Sequence, residues 1–219
     1  MIVAIVPAYN EEARIGCTVR SLFGHVDSVV VIDDGSGDNS RLKAREAGAH
    51  VLHHAVNRGQ GAALQTGHEY ARSNGASYVV HFDGDGQFHA EDIAPALAAL
   101  KSAQVQVLLG SRYLRKGSNV PLMKKYLVHP LSKILDRVFG GLKLSDVHNG
   151  FRIIRVDALD HIVITQDRMA HASQIPQLIR KHKLSYIEHP IQVTYHQYGQ
   201  SVSGGVHIVK DLLLGKLMK

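Results

Sequence analysis

The residues with the clearest chemical potential are two aspartates one glycine apart, Asp83-Gly84-Asp85, followed by Gly86-Gln87. They close a run of β-prone residues, Tyr78 to Phe82, that reads as a strand. The glycines let the backbone turn, so both carboxylates can converge on one point just past the strand end. Convergent hard oxygens suit Mg²⁺ or Mn²⁺, which also grip phosphates. An acidic loop that merely ends a strand is the plainer reading of the same residues. The company the stretch keeps decides between the two.

Stepping outward, the chain alternates strand and helix. Ile2 to Val6 is a continuous apolar run, as a strand buried on both faces requires. Pro7-Ala8-Tyr9-Asn10-Glu11-Glu12 breaks it and leads into a helix through Phe23, with Ile15, Val19 and Leu22 at helical spacing. Ser28 to Ile32 is a second strand, ending in Asp33-Asp34-Gly35-Ser36. A short helix over Leu42 to Ala47, a strand at His50 to His53 and a helix from Ala62 to Ser73 follow, the last opened by Asn57-Arg58-Gly59-Gln60-Gly61. Beyond the Asp83 strand come a helix reaching Lys101 and a fifth strand, Val105 to Leu109. This order predicts an α/β fold, a mostly parallel sheet with helices on both faces. Ligands of such sheets bind beyond the carboxyl ends of the strands. Tyr9 and Glu11, Asp33 and Asp34, Asn57 to Gly61, and Asp83 to Gln87 all fall there, on one rim.

Composition narrows the classes. With 45% hydrophobic and 20% charged residues the 219-residue chain is globular, and no linker-like stretch divides it. Its single cysteine, Cys17, excludes an intramolecular disulfide and fits a reducing compartment. No basic leader precedes Ile2, and no apolar run approaches the ~20 residues a membrane span needs, so a cytoplasmic location is expected. A formal charge of +6 and a pI near 9.4 favour an anionic partner: nucleotide, phospholipid surface or nucleic acid. The histidines are scattered, and the adjacent pair His53-His54 lacks the spacing of a zinc site. Gly35-Ser36-Gly37-Asp38-Asn39-Ser40 nearly spells a dinucleotide fingerprint, but the two preceding aspartates would repel a pyrophosphate.

Taken in order, Val6 to Glu12, Val31 to Ser36, Asn57 to Leu64, Asp83-Gly84-Asp85, Gly110-Ser111-Arg112-Tyr113 and Gly150-Phe151-Arg152 resemble the motifs of family 2 glycosyltransferases. The likeness is to the dolichyl-phosphate mannose synthase and polyprenyl-phosphate sugar transferase branch, over about residues 2 to 200. It implies a GT-A fold, an NDP-sugar donor and a divalent metal. Asp85 matches the metal-binding second aspartate, Asp83 its partner near ribose and metal, and Gln87 a further metal-side ligand. Pro7, Tyr9 and Glu11 match the base-and-ribose pocket and Asp33 a nucleotide contact. Gln60 stands where the pattern carries lysine, within the expected nucleotide-sugar site.

The rest of the chain is expected to serve the acceptor, so that a single domain over 1–219 divides into a donor half, 1–113, and an acceptor half, 114–219. Between Arg115 and Gly141, Met123, Leu127, Leu131, Ile134 and Val138 recur near helical spacing among lysines and arginines. Such a basic amphipathic segment packs against its own protein or lies on a membrane surface. Ser145 to Arg152 resembles the family's acceptor-side block, with Asp146 and Arg152 in it. Arg112 and Arg152 can each meet phosphate bidentately or form a structural salt bridge. Many relatives carry a glutamate where this chain has Gln174, which cannot act as a base; Asp146, His148 and His171 are the candidates left. Tyr186 to Glu188 and Ile191 to Tyr195 read as paired strands, Tyr198 to Gly205 as a loop, and Val206 to Lys219 as a basic amphipathic helix.

The expected function is a metal-dependent, inverting transfer of sugar from an NDP-sugar to a polyprenyl phosphate, peripheral on the cytoplasmic membrane face. The partners are thus donor, lipid acceptor and membrane surface, with no nucleic acid. A lipid-linked saccharide hydroxyl as acceptor, a nucleotidyltransferase and a non-catalytic nucleotide-binding module are the competing readings.

Overall fold

The computed structural model describes residues 1–114 and 142–194. Seven strands form one sheet in the order β3-β2-β1-β4-β6-β5-β7. They are β1 (Ile2–Ala8), β2 (Ser28–Asp33), β3 (His50–His53), β4 (Tyr78–His81), β5 (Val107–Ser111), β6 (Arg152–Arg155) and β7 (Tyr186–Pro190). The helices are α1 (Ile15–Leu22), α2 (Ser40–Glu46), α3 (Gln60–Ser73), α4 (Ile93–Ala103) and α5 (His171–Lys181).

Alternation along the buried strands sends successive side chains to opposite faces, and each face has its own core. Val3, Ile5, Val30, Ile32, Val79 and Ile154 pack with Ala63 and Leu64 of α3 and Ile175 and Ile179 of α5. Ala4, Val6, Val29, Val31, Val80 and Ile153 pack with Ile15 and Val19 of α1 and Ile93 and Leu97 of α4. The expected mostly parallel sheet with two helical layers is what the chain forms.

Two pairings depart from the sequence reading. β6 runs antiparallel to both β4 and β5, so its first residue, Arg152, sits beside the last residue of β4, His81. A strand that enters at the functional rim delivers its leading side chain there. β7 pairs in parallel with β5, and the following residues do not return as a hairpin. Instead Val193 bridges Phe88, and Thr194 donates its N–H to the Gln87 carbonyl at 2.9 Å. Tyr195, the 115–141 segment, the loop at 198–205 and the helix expected at 206–219 lie outside the described residues. Among the described residues no helix is long and apolar enough to cross a membrane.

Candidate functional site

The donor side of the rim is built from the ends of β1 to β4. Ala8, Asp33 and His53 stand in register on three neighbouring strands. Pro7 is buried inside β1, past the point where β4 pairs with it, so its missing N–H breaks no ladder bond. Tyr9, the residue after β1, is 49% exposed and presents its ring outward. The loop behind it is locked to the β2–α2 loop: Asn10 N–H donates to Ser36 Oγ at 3.0 Å, and Gly37 N–H to Asn10 Oδ1 at 2.9 Å. Glu11 turns aside to Arg14, which donates to its carboxylate at 2.7 and 2.8 Å. Asp33 is buried and bonded to His53 Nδ1 at 2.9 Å.

The aspartate pair follows β4. Asp85 Oδ1 accepts the Gln87 N–H at 3.0 Å, which fixes the turn. Gln60 Nε2 donates to Asp83 Oδ1 at 2.8 Å, so the amide that replaces the pattern's lysine reaches the carboxylate directly. The other Asp83 oxygen packs on Gly150, where any Cβ would collide with it. Burial, and then the charge of Asp85, push the Asp83 carboxyl up to about 7. A buried carboxyl raised by a neighbouring carboxylate, with hard oxygens and, among the described residues, a neutral amide as its side-chain hydrogen-bond donor, fits a divalent cation. Among the described residues no three His, Cys, Asp or Glu side chains are grouped so that they could hold a metal ion by themselves. Further ligands would then come from Gln87, substrate phosphate or water, the mixture Mg²⁺ favours.

Arg152, open from the sequence to a phosphate fork or a structural salt bridge, is 2% exposed. Burial lowers its pKa to about 10, while the charges of Asp83 and Asp146 hold it up, so it remains a cation. Its Nη1 has no partner among the described residues. Beneath it His68 and His81 share an Nε2–Nε2 hydrogen bond of 2.7 Å. Burial drives His68 down to about 3 and His81 well below the ordinary imidazole value, so both are neutral.

On the acceptor side Arg112 grips Asp146 with two side-chain N–H groups, each at 2.7 Å, and with its backbone N–H at 3.1 Å. Asn149 Nδ2 adds a fourth donor at 2.9 Å. Burial alone would raise the Asp146 carboxyl, but the Arg112 hydrogen bonds and charge win and hold it below the usual carboxylate range. Behind this pair runs a directional chain: Tyr113 N–H donates to Ser111 Oγ, Ser111 Oγ to Ser145 Oγ and Ser145 Oγ to Glu188. His148 is half-buried and His171 buried, and desolvation lowers both, His171 to about 4. Gln174 points away from this chemistry: its oxygen accepts the N–H groups of Thr165 and Gln166, and its amide donates to Thr165 Oγ1. The strap it holds lies over the start of α3, where Asp167 O accepts the Ala62 N–H at 3.0 Å. Gly59, with φ of 107°, is where a side chain would strike that carbonyl.

Residues 3–163 match the family model described as glycosyl transferase family 2. The chain belongs to glycosyl transferase family 2. This glycosyltransferase is 30% identical to a UDP-N-acetylglucosamine–dolichyl-phosphate N-acetylglucosaminyltransferase of Methanococcus voltae, covering 100% of this chain and 97% of that one. It is 29% identical to an undecaprenyl-phosphate mannosyltransferase of Micrococcus luteus, covering 94% and 88%. Among solved structures, glucosyl-3-phosphoglycerate synthase of Mycobacterium tuberculosis, captured with Mn²⁺, UDP and glucosyl-3-phosphoglycerate, superposes with a TM-score of 0.73 at 20% identity. That match covers 97% of the glycosyltransferase and 78% of the synthase, and the shared fold is GT-A.

Tyr9, Asp33, Gln60, Asp83, Asp85 and Gln87 thus lie at strand ends or helix starts along the rim expected to take the donor, and Arg112 pairs with Asp146. The structure leaves Pro7 and Arg152 inside and turns Glu11 to Arg14. The sequence reading missed the bond from His53 to Asp33, visible only as a histidine ending the strand beside a strand ending in aspartate. It also missed the Ser111–Ser145–Glu188 chain, which no local pattern announces.

Proposed function

We propose that the protein transfers a sugar from a nucleoside-diphosphate sugar to a polyprenyl phosphate, with inversion at the anomeric carbon, on the cytoplasmic face of a membrane. The observation that carries this reading is the Arg112–Asp146 pair. A sugar hydroxyl needs a positioned base, because its pKa lies far above neutrality. Asp146 is spent on four donors and is therefore a poor base, whereas a lipid phosphate is already an anion and attacks without one. The M. voltae and M. luteus relatives, a dolichyl-phosphate and an undecaprenyl-phosphate sugar transferase by name, support the same acceptor class.

In this mechanism Tyr9 flanks the base of the donor. Asp83, Asp85 and Gln87 would hold Mg²⁺ or Mn²⁺, which when bound supplies Lewis-acid neutralisation of the diphosphate leaving group. Gln60 and Gly150 fix the plane of the Asp83 carboxylate, and the charge of Arg152 opposes the rise of its pKa without cancelling it. Arg112, oriented by Asp146, contributes a rigid guanidinium to the acceptor side. The basic, apolar-periodic stretches at 115–141 and 206–219 supply the attraction to an anionic leaflet, each Lys or Arg near the surface being worth about 1 kcal/mol.

A second reading keeps one observation. His148 is neutral, and its Nδ1 has no partner among the described residues, so it is the group a hydroxyl acceptor would need. The product decides. Incubation with NDP-sugars and either polyprenyl phosphate or a lipid-linked saccharide should yield an acid-labile sugar phosphate; an acid-resistant glycosidic bond would overturn the phosphate reading.

A further inference from the structure

Two aspartate–histidine pairs stand side by side where β2 and β3 end, and they differ at one atom. In the first, Asp34 Oδ1 bonds His54 Nδ1 at 2.7 Å, and His54 Nε2 meets Thr66 Oγ1 at 3.0 Å. The same carboxylate accepts the N–H groups of Arg58 and Gly59 at 3.0 and 2.6 Å. Every polar atom of this histidine is used, and the pair fastens the β3–α3 loop to β2. In the second, Asp33 Oδ2 bonds His53 Nδ1 at 2.9 Å, and Asp33 Oδ1 accepts the Ser36 N–H at 3.3 Å. Here the histidine's far nitrogen, Nε2, has no hydrogen-bond partner among the described residues.

Exposure separates the partners of this second pair. The Asp33 side chain is 1% exposed and that of His53 is 36% exposed. A ligand arriving at this rim therefore meets the imidazole, with the carboxylate behind it. The tautomer that donates Nδ1–H to the carboxylate offers Nε2 as a lone pair. On the same rim, register places Ala8 and Asp33 on the adjoining strands, Tyr9 follows Ala8, and Val56 stands 67% exposed three residues beyond His53. An exposed aromatic ring, an exposed valine and one fixed acceptor match a planar heterocycle carrying an N–H on its edge.

We propose that His53 determines nucleobase specificity: its Nε2 accepts the ring imide N–H of a uracil, thymine or guanine nucleotide, and Asp33 is the positioning residue that fixes its tautomer. The inference rests on the nucleoside-diphosphate donor proposed above. Cytosine and adenine carry a ring acceptor where the imide bases carry N–H, so their lone pair would face that of Nε2. A polar mismatch of this kind discriminates more strongly than a lost apolar contact once the bound base covers it.

The experiment is calorimetry at pH 8 with Mg²⁺, using UDP against CDP, GDP against ADP, and inorganic pyrophosphate as a base-free probe. His53→Asn keeps an amide N–H for Asp33 but removes Nε2. The wild type should prefer one imide nucleotide over its partner by about tenfold or more, as one well-placed hydrogen bond allows. His53→Asn should shrink that preference to about twofold while pyrophosphate binds as before. If pyrophosphate binding is lost, the variant has not folded, and His53→Gln at the same half-exposed position repeats the comparison. A variant that folds and retains the wild-type preference overturns the assignment, as does a wild type that binds both members of each pair equally. A wild type that binds pyrophosphate but no nucleoside diphosphate overturns the donor reading first, which keeps the two failures distinct.

Discussion

Asp83 and Asp146 both feel the charge of Arg152, yet their surroundings move them in opposite directions. Asp83 has one amide donor and a second carboxylate for a neighbour, and its carboxyl rises to about 7. Asp146 has a bidentate guanidinium, a backbone N–H and an asparagine amide, and its carboxyl falls. The difference lies in which deficit each region leaves open. The Asp83 region, the proposed donor side, is short of positive charge, the deficit that the proposed divalent cation would fill. The acceptor side is already balanced and holds its carboxylate as scaffold.

The largest test of that contrast removes the open deficit. Asp85→Asn should cut sugar transfer by at least about 100-fold, the scale of losing a main electrostatic stabiliser, with the circular-dichroism melt unchanged. Near-normal turnover in EDTA would break the comparison at its first term. On the closed side the expected loss is in stability. Arg112→Ala strands a buried carboxylate and should cost about 3 kcal/mol in urea unfolding, and Asp146→Asn added to it should restore part of that. Should the single variant unfold like wild type, Asp146 is not the scaffold described.

The third test uses pH in metal-free protein. Asp83 has a folded pKa above its unfolded value of 3.8, so between about 4 and 7 the native state binds a proton that the unfolded chain does not, and acidification stabilises. His68, with a folded value of about 3 against 6.5, does the reverse: its contribution is present above 6.5 and is lost as pH falls towards 3. His81 shifts in the same direction as His68. The opposing slopes partly cancel in the wild type. Asp83→Asn should expose the histidine slope, so its urea midpoint should drop more steeply from pH 6.5 to 4.5 than that of the wild type. The smallest effect sharpens the donor side alone: Tyr9→Ala should weaken nucleotide binding by about tenfold in calorimetry, the worth of one stacked ring.

Much of the donor side was legible because it is local. A strand of Ile2-Val3-Ala4-Ile5-Val6 type, a polar turn and a helix place Tyr9, Asp33 and Asp83 on one rim without any knowledge of distant contacts. The acceptor side was not, since its arrangement depends on pairings across the chain. Arg112 finds Asp146 34 residues later, and Ser145 finds Glu188 43 residues later. Arg152 was open to a phosphate fork or a salt bridge because its guanidinium suits both; its burial between Asp83 and Asp146 follows from β6 running antiparallel between β4 and β5, which no local pattern announces. The hairpin expected from Tyr186 onward failed for a related reason. Ile187 and Ile191 are drawn to the α1–α4 core and β5, and no turn chemistry around Pro190 competes with that burial.

The antiparallel strand also constrains the order in which the molecule can assemble. β4 is complete by residue 81, but its outer edge has no partner until Arg152–Arg155 has been made, and β5 cannot take that place because β6 inserts between them. For some seventy residues of synthesis the growing chain thus holds a hydrophobic strand edge open beside Asp83 and Asp85, at the expense of a high-contact-order closure. Joining the two halves of the sheet is then the slow, committing event of folding, and the nascent N-terminal half is the species in which chaperone dependence and misassembly should concentrate.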